Sequence, residues 1–514
     1  MSKTIIIIGA GLAGLSAALQ AAENGCNVKL VSSLPSERAQ SVMAEGGINA
    51  ALNTKDENDS PEEHFTDTIK AACGLADPNA VWGMTQAAPE LVHWLLKLGV
   101  KFNMSGYDDV DLRNFGGQKK KRTAFAQSDT GKQIMTAMID AVRRKEASSM
   151  VERFSHHSFL TLRLCGNICC GCVIRDEYSQ ETVELPGDAV IVATGGMHGL
   201  FGNTTGSLSN TGEVTAELFR LGVPLANGEM IQYHPTTVKC GGKRMLISEA
   251  ARGEGGRLFA MKDGKQWYFM EEKYPELGNL MPRDITAREI WKVSHESEVF
   301  LDMTEISEEI ISNKLSGLAD DCMTYLHKDI RKEPVSVLPG IHYFMGGILV
   351  DEQHRTPIQN LYAAGECCAQ YHGANRLGGN SLLGALYGGR VAAKSACEQA
   401  DVVDLSCATQ IDFPPASQIS EIKQLNKVMQ ETMGVVRNEN TLLNGIQTVQ
   451  ALTGNLPLLG MAVLKSALAR KESRGAHWRE DYPKSNDDDY LKTTVARFDG
   501  KQIQISFVPV PERR

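Results

Sequence analysis

The chain opens on four consecutive apolar residues, Ile5-Ile6-Ile7-Ile8, and then breaks into glycine. A run this short, bounded by glycine, reads as a strand buried on both faces. Alanine and leucine dominate 12–22, Gly25 interrupts, and a second apolar run covers Val28 to Val31. The order strand, glycine turn, helix, strand is a βαβ unit. Across 60–100, "DTIKAACG" and "ELVHWLLKLG" carry apolar positions at helical spacing and end at glycines, which predicts helices. Residues 132–148 predict another. Alternation and frequent turns over 150–192 predict a small antiparallel sheet that closes on the strand "DAVIVATGG".

Residues 233–345 differ in composition, with charged helices and loops expected. "LYAAGEC" at 361–367 restores the strand-plus-glycine style, and a glycine-rich helix follows to 399. The stretch 416–480 reads as mostly helical. From "YPKSNDDDYL" onward a charged segment and a terminal strand pair are expected. The fold class is therefore α/β: a Rossmann-like domain interrupted by an α+β capping domain and followed by a helical domain. The expected partition is 1–232 and 348–412 for the nucleotide-binding domain, 233–347 for the capping domain, 413–484 for the helical domain and 485–514 for a tail. A length of 514 residues fits two or three domains.

Composition narrows the function. Apolar residues make up 42% and the net charge is −9, so no basic excess exists to neutralise a nucleic-acid backbone. The one basic run, Lys119-Lys120-Lys121-Arg122, reads as a solvated loop. The first strand starts by residue 4, which leaves no room for a signal peptide, and no apolar run approaches the roughly 18 residues of a membrane span. A cytoplasmic location is expected, with membrane contact only through a partner. The twelve cysteines are irregularly spaced, as in a reducing compartment. The densest group, Cys165, Cys169, Cys170 and Cys172, sits in two strands around a Gly166-Asn167 turn. Adjacent Cys169 and Cys170 would then point to opposite faces, and no metal site is expected.

Candidate chemistry begins at Gly9-Ala10-Gly11-Leu12-Ala13-Gly14. This G-x-G-x-x-G follows a strand and opens a helix, the context that marks a dinucleotide site. Gly9 permits the tight turn and Gly11 the approach of a pyrophosphate. Ala13 lies in the same turn, and Gly14 allows close helix–strand packing. The phosphates would sit on the helix N-terminus. Ser32 and Ser33 stand where an acidic residue usually ends the second strand. Only one such fingerprint occurs, which favours a single bound FAD over a pyridine-nucleotide dehydrogenase.

From "SVMAEGGINAA" onward the chain resembles the flavoprotein subunits of fumarate reductase and succinate dehydrogenase. The matching segments run in order: "FGGQKKKRTAFAQSDTG", "IVATGG", "MIQYHPTT", "SEAARGEGG", "MPRD", "IHYFMGGI", "LYAAGECC", "HGANRLGGNSL" and "ESRGAHWREDYP". The resemblance implies that the protein moves a hydride between FAD and the double bond of a small dicarboxylate, fumarate or succinate. It implies that His234, Ser248, His342 and Arg376 hold the substrate carboxylates, that Arg283 gives the proton, and that Glu249 and Arg252 relay it. It also implies FAD contacts at Ser41, Glu45, Gly46, Gly47, Thr194, Gly195, Glu366, Ser381 and Leu382, beside Ser32 from the nucleotide motif. Glu213 replaces the family's aspartate in Thr211-Gly212-Glu213, which lengthens that contact by a methylene.

Family members often tether FAD through a histidine, and here Gln40 occupies that place. An amide cannot form the link, so non-covalent FAD is expected, with a lean toward fumarate reduction. The nearest rival is L-aspartate oxidase, which carries a glutamate directly before the Gly-Gly of 116–117, where this chain has Phe115. A reductase of another small enoate is a further alternative. Taken singly, Arg283 and Arg252 could be surface ion-pair partners, His234 a turn residue and His342 a core residue. Arg257, Lys243 and Arg244 match nothing and read as surface charge. No cluster, haem or second nucleotide motif is present, so electrons come from elsewhere, in the family from an iron–sulfur partner subunit.

Overall fold

A computed structural model of the chain describes residues 2–107, 109–400, 411, 413 and 418–514. At its centre is a five-stranded parallel sheet in the order Leu361–Ala363, Ala189–Val192, Thr4–Ile8, Asn27–Ser32, Val151–Ser155. The Ile5–Ile8 run serves both faces of this sheet, as strand alternation requires. Ile5 and Ile7 join the core formed with helices Leu12–Glu23, Thr130–Ala147 and Asn380–Gln399. Ile6 and Ile8 join a second core under the antiparallel sheet His157–Cys165, Ile168–Asp176, Thr182–Pro186. The stretch 150–192 is thus not one antiparallel sheet. Its first and last strands belong to the parallel sheet, and only the middle three pair antiparallel. The edge strand carries Glu152 and Arg153, so its polar composition did not set it apart from the antiparallel strands that follow.

Residues 231–344 hold more sheet than the expected charged helices and loops. One sheet runs Lys243–Leu246, Ile231–Cys240, Leu338–Phe344, and another runs Lys265–Trp267, Arg257–Lys262, Val299–Asp302, Val335–Ser336. Short helices Glu249–Gly253 and Arg283–Val293 flank them. Strand Ile231–Cys240 loses register with Leu338–Phe344 between Gln232 and Tyr233 and again between His234 and Thr237, a local irregularity of the kind that re-aims side chains. Helices Ile419–Thr432, Glu439–Val449 and Asn455–Ala469 pack around Leu425, Met429, Leu459 and Val463. The expected boundary at 412/413 falls within 401–417, most of which lies outside the described residues. The terminal hairpin Lys492–Phe498/Ile503–Pro509 forms as expected and extends a sheet that contains Leu225–Ala226, Gly347–Leu349 and Cys368–Ala369.

Buried guanidinium groups tie these parts together. Glu229 accepts from Arg470 Nε at 2.7 Å and from the Thr494 hydroxyl at 2.5 Å, while its carbonyl accepts from Arg437 Nη1 at 2.7 Å. Arg470 Nη1 and Arg474 Nε both donate to Glu472 Oε1 at 2.8 Å. The basic run 119–122 also needs correction. Lys119 and Lys121 are exposed, but Arg122 is fully buried, 2.8 Å from Asp59 and 3.0 Å from Asp67. Two inward-facing carboxylates make that burial tolerable. Arg244 is half-buried, with its Nε donating to Thr237 Oγ1 at 2.6 Å, and Arg257 pairs with Glu271.

Candidate active site

One cavity of about 700 Å³ runs from the ends of the parallel strands to the residue 231–344 block. Its walls at one end are the glycine turn and the end of the second strand: Gly9, Ala10, Gly11, Ala13 and Ser32. Gly14 stands behind the wall. A Cβ there would lie 1.8 Å from the Gly9 carbonyl oxygen, so the helix approaches the strand as closely as backbone allows. Gly9 has φ +110° and a Cβ on it would meet the Ala193 oxygen at 2.3 Å. Ser41 Oγ accepts the Leu12 N–H at 3.2 Å and so fixes a second loop at the head of helix Leu12–Glu23. Glu45, Gly46, Gly47, Thr194, Gly195, Glu213, Glu366, Ser381 and Leu382 line the middle. Ser381 and Leu382 lie in the first turn of helix Asn380–Gln399, whose dipole favours negative charge there. Glu366 Oε1 accepts from the Phe344 N–H at 3.1 Å and lies 3.6 Å from His198 Nε2. The Ser207 N–H donates to the Gln40 side-chain oxygen.

His234, Ser248, Glu249, Arg283, His342 and Arg376 meet at the far end. Glu249 is the hub. Arg283 donates Nε at 2.8 Å and Nη2 at 2.6 Å to its Oε2, while Arg252 Nη2 and the Gly116 N–H each reach its Oε1 at 3.2 Å. Arg252 stands behind the cavity wall, with Nη1 also donating to the Asn279 carbonyl at 2.6 Å. Burial alone would raise the Glu249 carboxyl, but Arg283 and Arg252 hold it below its ordinary value. Burial and the neighbouring Arg283 guanidinium lower Arg376 to about 9, and its guanidinium lies over the Tyr343 ring at 4.4 Å. The His234 and His342 rings stand edge-to-face, 5.1 Å apart. Burial first, then Arg283, hold both well below the usual imidazole range, so both are neutral at neutral pH. With Arg283, Arg252 and Arg376 around one hub carboxylate, this end carries surplus positive charge.

Two residues in this constellation escaped the sequence reading. Gln232 is fully buried, accepts from Arg283 Nη1 at 3.0 Å, and donates to Asn375 Oδ1 at 2.9 Å and the Arg376 carbonyl at 2.8 Å. Its signal was its place two residues before His234 on a strand. Thr205 bonds His342 Nδ1 at 2.8 Å from a glycine-rich loop, and nothing in the local pattern singles it out.

The walls fit FAD. Ser32 Oγ, Glu45 Oε2, Asn210 Nδ2, His234 Nε2 and Arg376 Nε are buried without a hydrogen-bond partner among the described residues, and all belong to cavity-lining side chains. Buried polar atoms are seldom left this way, so the cavity calls for an elongated polar guest along its whole length. Residues that would hold FAD are the glycine turn, Ser32, Ser41 and the 45–47 loop. Among the described residues no His/Cys/Asp/Glu group could hold a metal ion, and no helix is long and apolar enough to cross a membrane.

Known proteins agree with this layout. The FAD binding domain family matches residues 4–382, and the fumarate reductase flavoprotein C-terminal family matches 452–513. The chain is 38% identical to the succinate dehydrogenase flavoprotein subunit of Bacillus subtilis, over 100% of this chain and 98% of that one. It is 32% identical to the 8-methylmenaquinol:fumarate reductase flavoprotein subunit of Wolinella succinogenes, over 100% and 92%. A solved structure of E. coli quinol fumarate reductase FrdA superposes with a TM-score of 0.90 at 27% identity, covering 99% of this chain and 97% of that one. That fold comprises an FAD-binding domain, a capping domain and a C-terminal helical domain. The chain belongs to the fumarate reductase/succinate dehydrogenase flavoprotein subunit family and is an FAD-dependent oxidoreductase.

Proposed function

We propose that the protein interconverts fumarate and succinate on non-covalently held FAD, with fumarate reduction the favoured direction. The observation that carries this reading is the buried chain Arg283–Glu249–Arg252 opening into the FAD cavity. A flat C4 dianion suits a site with surplus positive charge. Arg376 offers one carboxylate a planar fork. Neutral His234 and His342, with the Ser248 hydroxyl, hydrogen-bond the other. Bound FAD supplies the hydride for one alkene carbon. Arg283 then gives its proton to the neighbouring carbon as negative charge builds there. Arginine ordinarily holds its proton above about pH 12. Transfer is feasible if Arg252 passes a proton through the Glu249 carboxylate, 2.6 Å from Arg283, as Arg283 gives up its own, and a solvent proton then restores Arg252. Gln232 fixes the guanidinium's third edge, which supports the aim that proton transfer requires.

Gln40 supports a non-covalent cofactor, because its amide has no nucleophilic ring nitrogen to offer. L-Aspartate as substrate would need a carboxylate for its ammonium. The place before Gly116 is instead filled by the buried Phe115 ring, packed near Gly46 and Gly378. We also infer an electron-carrying partner, an iron–sulfur subunit by analogy with the family.

The test is purification, acid release of flavin, and anaerobic assay with a reduced viologen dye. Free FAD after acid precipitation and fumarate-dependent dye oxidation are expected, with no turnover of L-aspartate. Flavin retained in the precipitate would refute the non-covalent site. Oxidation of aspartate without fumarate turnover would replace the substrate reading.

A further inference from the structure

Glu45 immediately precedes Gly46 and Gly47 on the cavity wall. Its backbone is fixed. Its carbonyl accepts from Arg113 Nη2 at 3.2 Å and from Thr130 Oγ1 at 3.3 Å, and the Gly131 N–H donates to the Ala44 carbonyl at 2.7 Å. Its carboxyl is held only in part: Ser248 hydrogen-bonds it, while Oε2 is buried without a hydrogen-bond partner among the described residues. The groups facing it are Arg113 at the 112–113 strand, Asp129 at the head of helix Thr130–Ala147, Ser248, and Asp321 with Cys322 at the end of helix Ser316–Asp321. Burial raises the carboxyl first, then Asp321 and Asp129, against Arg113 and Ser248, to about 8. Burial outweighs Arg113 and Ser248, and a buried negative charge is expensive, so Glu45 carries a proton at neutral pH. Asp129 is exposed and Asp321 half-buried. Both aspartates act on the Glu45 carboxyl through their charge, and Asp129 at least meets solvent.

Charging FAD for fumarate reduction takes two electrons and a proton, a demand distinct from the proton added to the substrate carbon. We propose that Glu45 delivers this proton to the flavin ring and that Asp321 and Asp129 restore it from solvent, a step that rests on FAD occupying the cavity. The electrons come from an electron-transfer partner or a reduced dye. The Glu45 O–H bond breaks, a ring N–H bond forms, and a solvent proton passed along the aspartates regenerates the acid. In succinate oxidation the same route runs outward.

The holoprotein is mixed anaerobically with reduced viologen, without fumarate, and flavin bleaching is timed across pH. Reoxidation of the bleached protein by fumarate is timed separately. Wild-type bleaching is expected to slow as pH rises through about 8. Glu45→Gln should slow bleaching at least about tenfold more than it slows reoxidation, and should abolish the inflection, on the scale of a lost positioned acid. Bleaching at the wild-type rate with the inflection intact overturns the proposal. If Glu45→Gln cannot hold FAD, the double variant Asp129→Asn/Asp321→Asn decides. Loss of two negative charges must move the inflection to lower pH, and an unmoved inflection overturns the proposal. A wild-type protein that binds no FAD overturns both this step and the cofactor site. Normal bleaching without fumarate reoxidation fails the substrate reading alone.

Discussion

Arg283 reaches the cavity with every guanidinium nitrogen engaged by Glu249 or Gln232. Arg283→Ala is expected to lower fumarate turnover by roughly 10²–10⁴-fold, the contribution of a positioned acid, while flavin content stays at the wild-type ratio. Turnover near the wild-type rate would move the proton elsewhere. Gln232→Leu removes the third anchor and leaves the pair with Glu249. A fall in kcat of about tenfold with little change in KM is expected, as for an aiming defect, and a change confined to KM would contradict it. Arg122→Ala leaves Asp59 and Asp67 without their cation and should lower stability by about 3–5 kcal/mol in denaturant titration. At this scale the resemblance named most of the residues that meet at the far end of the cavity, whereas taken singly the arginine in "MPRD" reads as a surface ion-pair partner. The motifs could not disclose Gln232, whose role comes from a partner 51 positions away in sequence. Nor could they disclose Arg122, which a run of lysines disguised as surface.

The strand–turn–helix opening was legible because each local signal agreed with the next: apolar run, glycines, alanine-rich helix. Its tightness is testable. Gly14→Ala places a methyl 1.8 Å from the Gly9 oxygen, and backbone cannot yield there without moving the helix. Purified Gly14→Ala should carry little FAD and unfold at lower temperature, and a full flavin complement would show that the helix can shift at little cost. Elements were misread where one pattern fits two environments. Val151–Ser155 carries Glu152 and Arg153 although it belongs to a parallel sheet, because it lies at that sheet's edge, and the 231–344 strands are charged because their outer faces and turns meet water. Lys262 and Lys265, exposed at the tip of one hairpin, are the plain case.

Across the whole molecule, burial holds His64, His234, His342, His354, His372 and His477 below the usual imidazole range, His64 at about 3 and His354 at about 4. A depressed pKa means the unfolded chain binds protons that the folded chain refuses. Their stability contribution is therefore full above about pH 6.5 and declines as pH falls toward the folded values. Raised carboxyls such as Glu45 act in the opposite sense, so the decisive quantity is a change of slope. His354→Gln should flatten the acid-side decline of the thermal midpoint, and an unchanged slope would remove that ring from the account. The guanidinium lattice around Glu229 has a consequence for biosynthesis. Glu229 lies three residues before Gln232, and its counter-charge, Arg470, is anchored in turn by the Tyr490 and Lys492 carbonyls. During translation the nucleotide fingerprint emerges first and can begin to fold. Glu229 stays uncompensated until the ribosome has released Arg470 and the carbonyls at 490 and 492 that anchor it. A late stop codon should thus silence an enzyme whose contact residues are all intact.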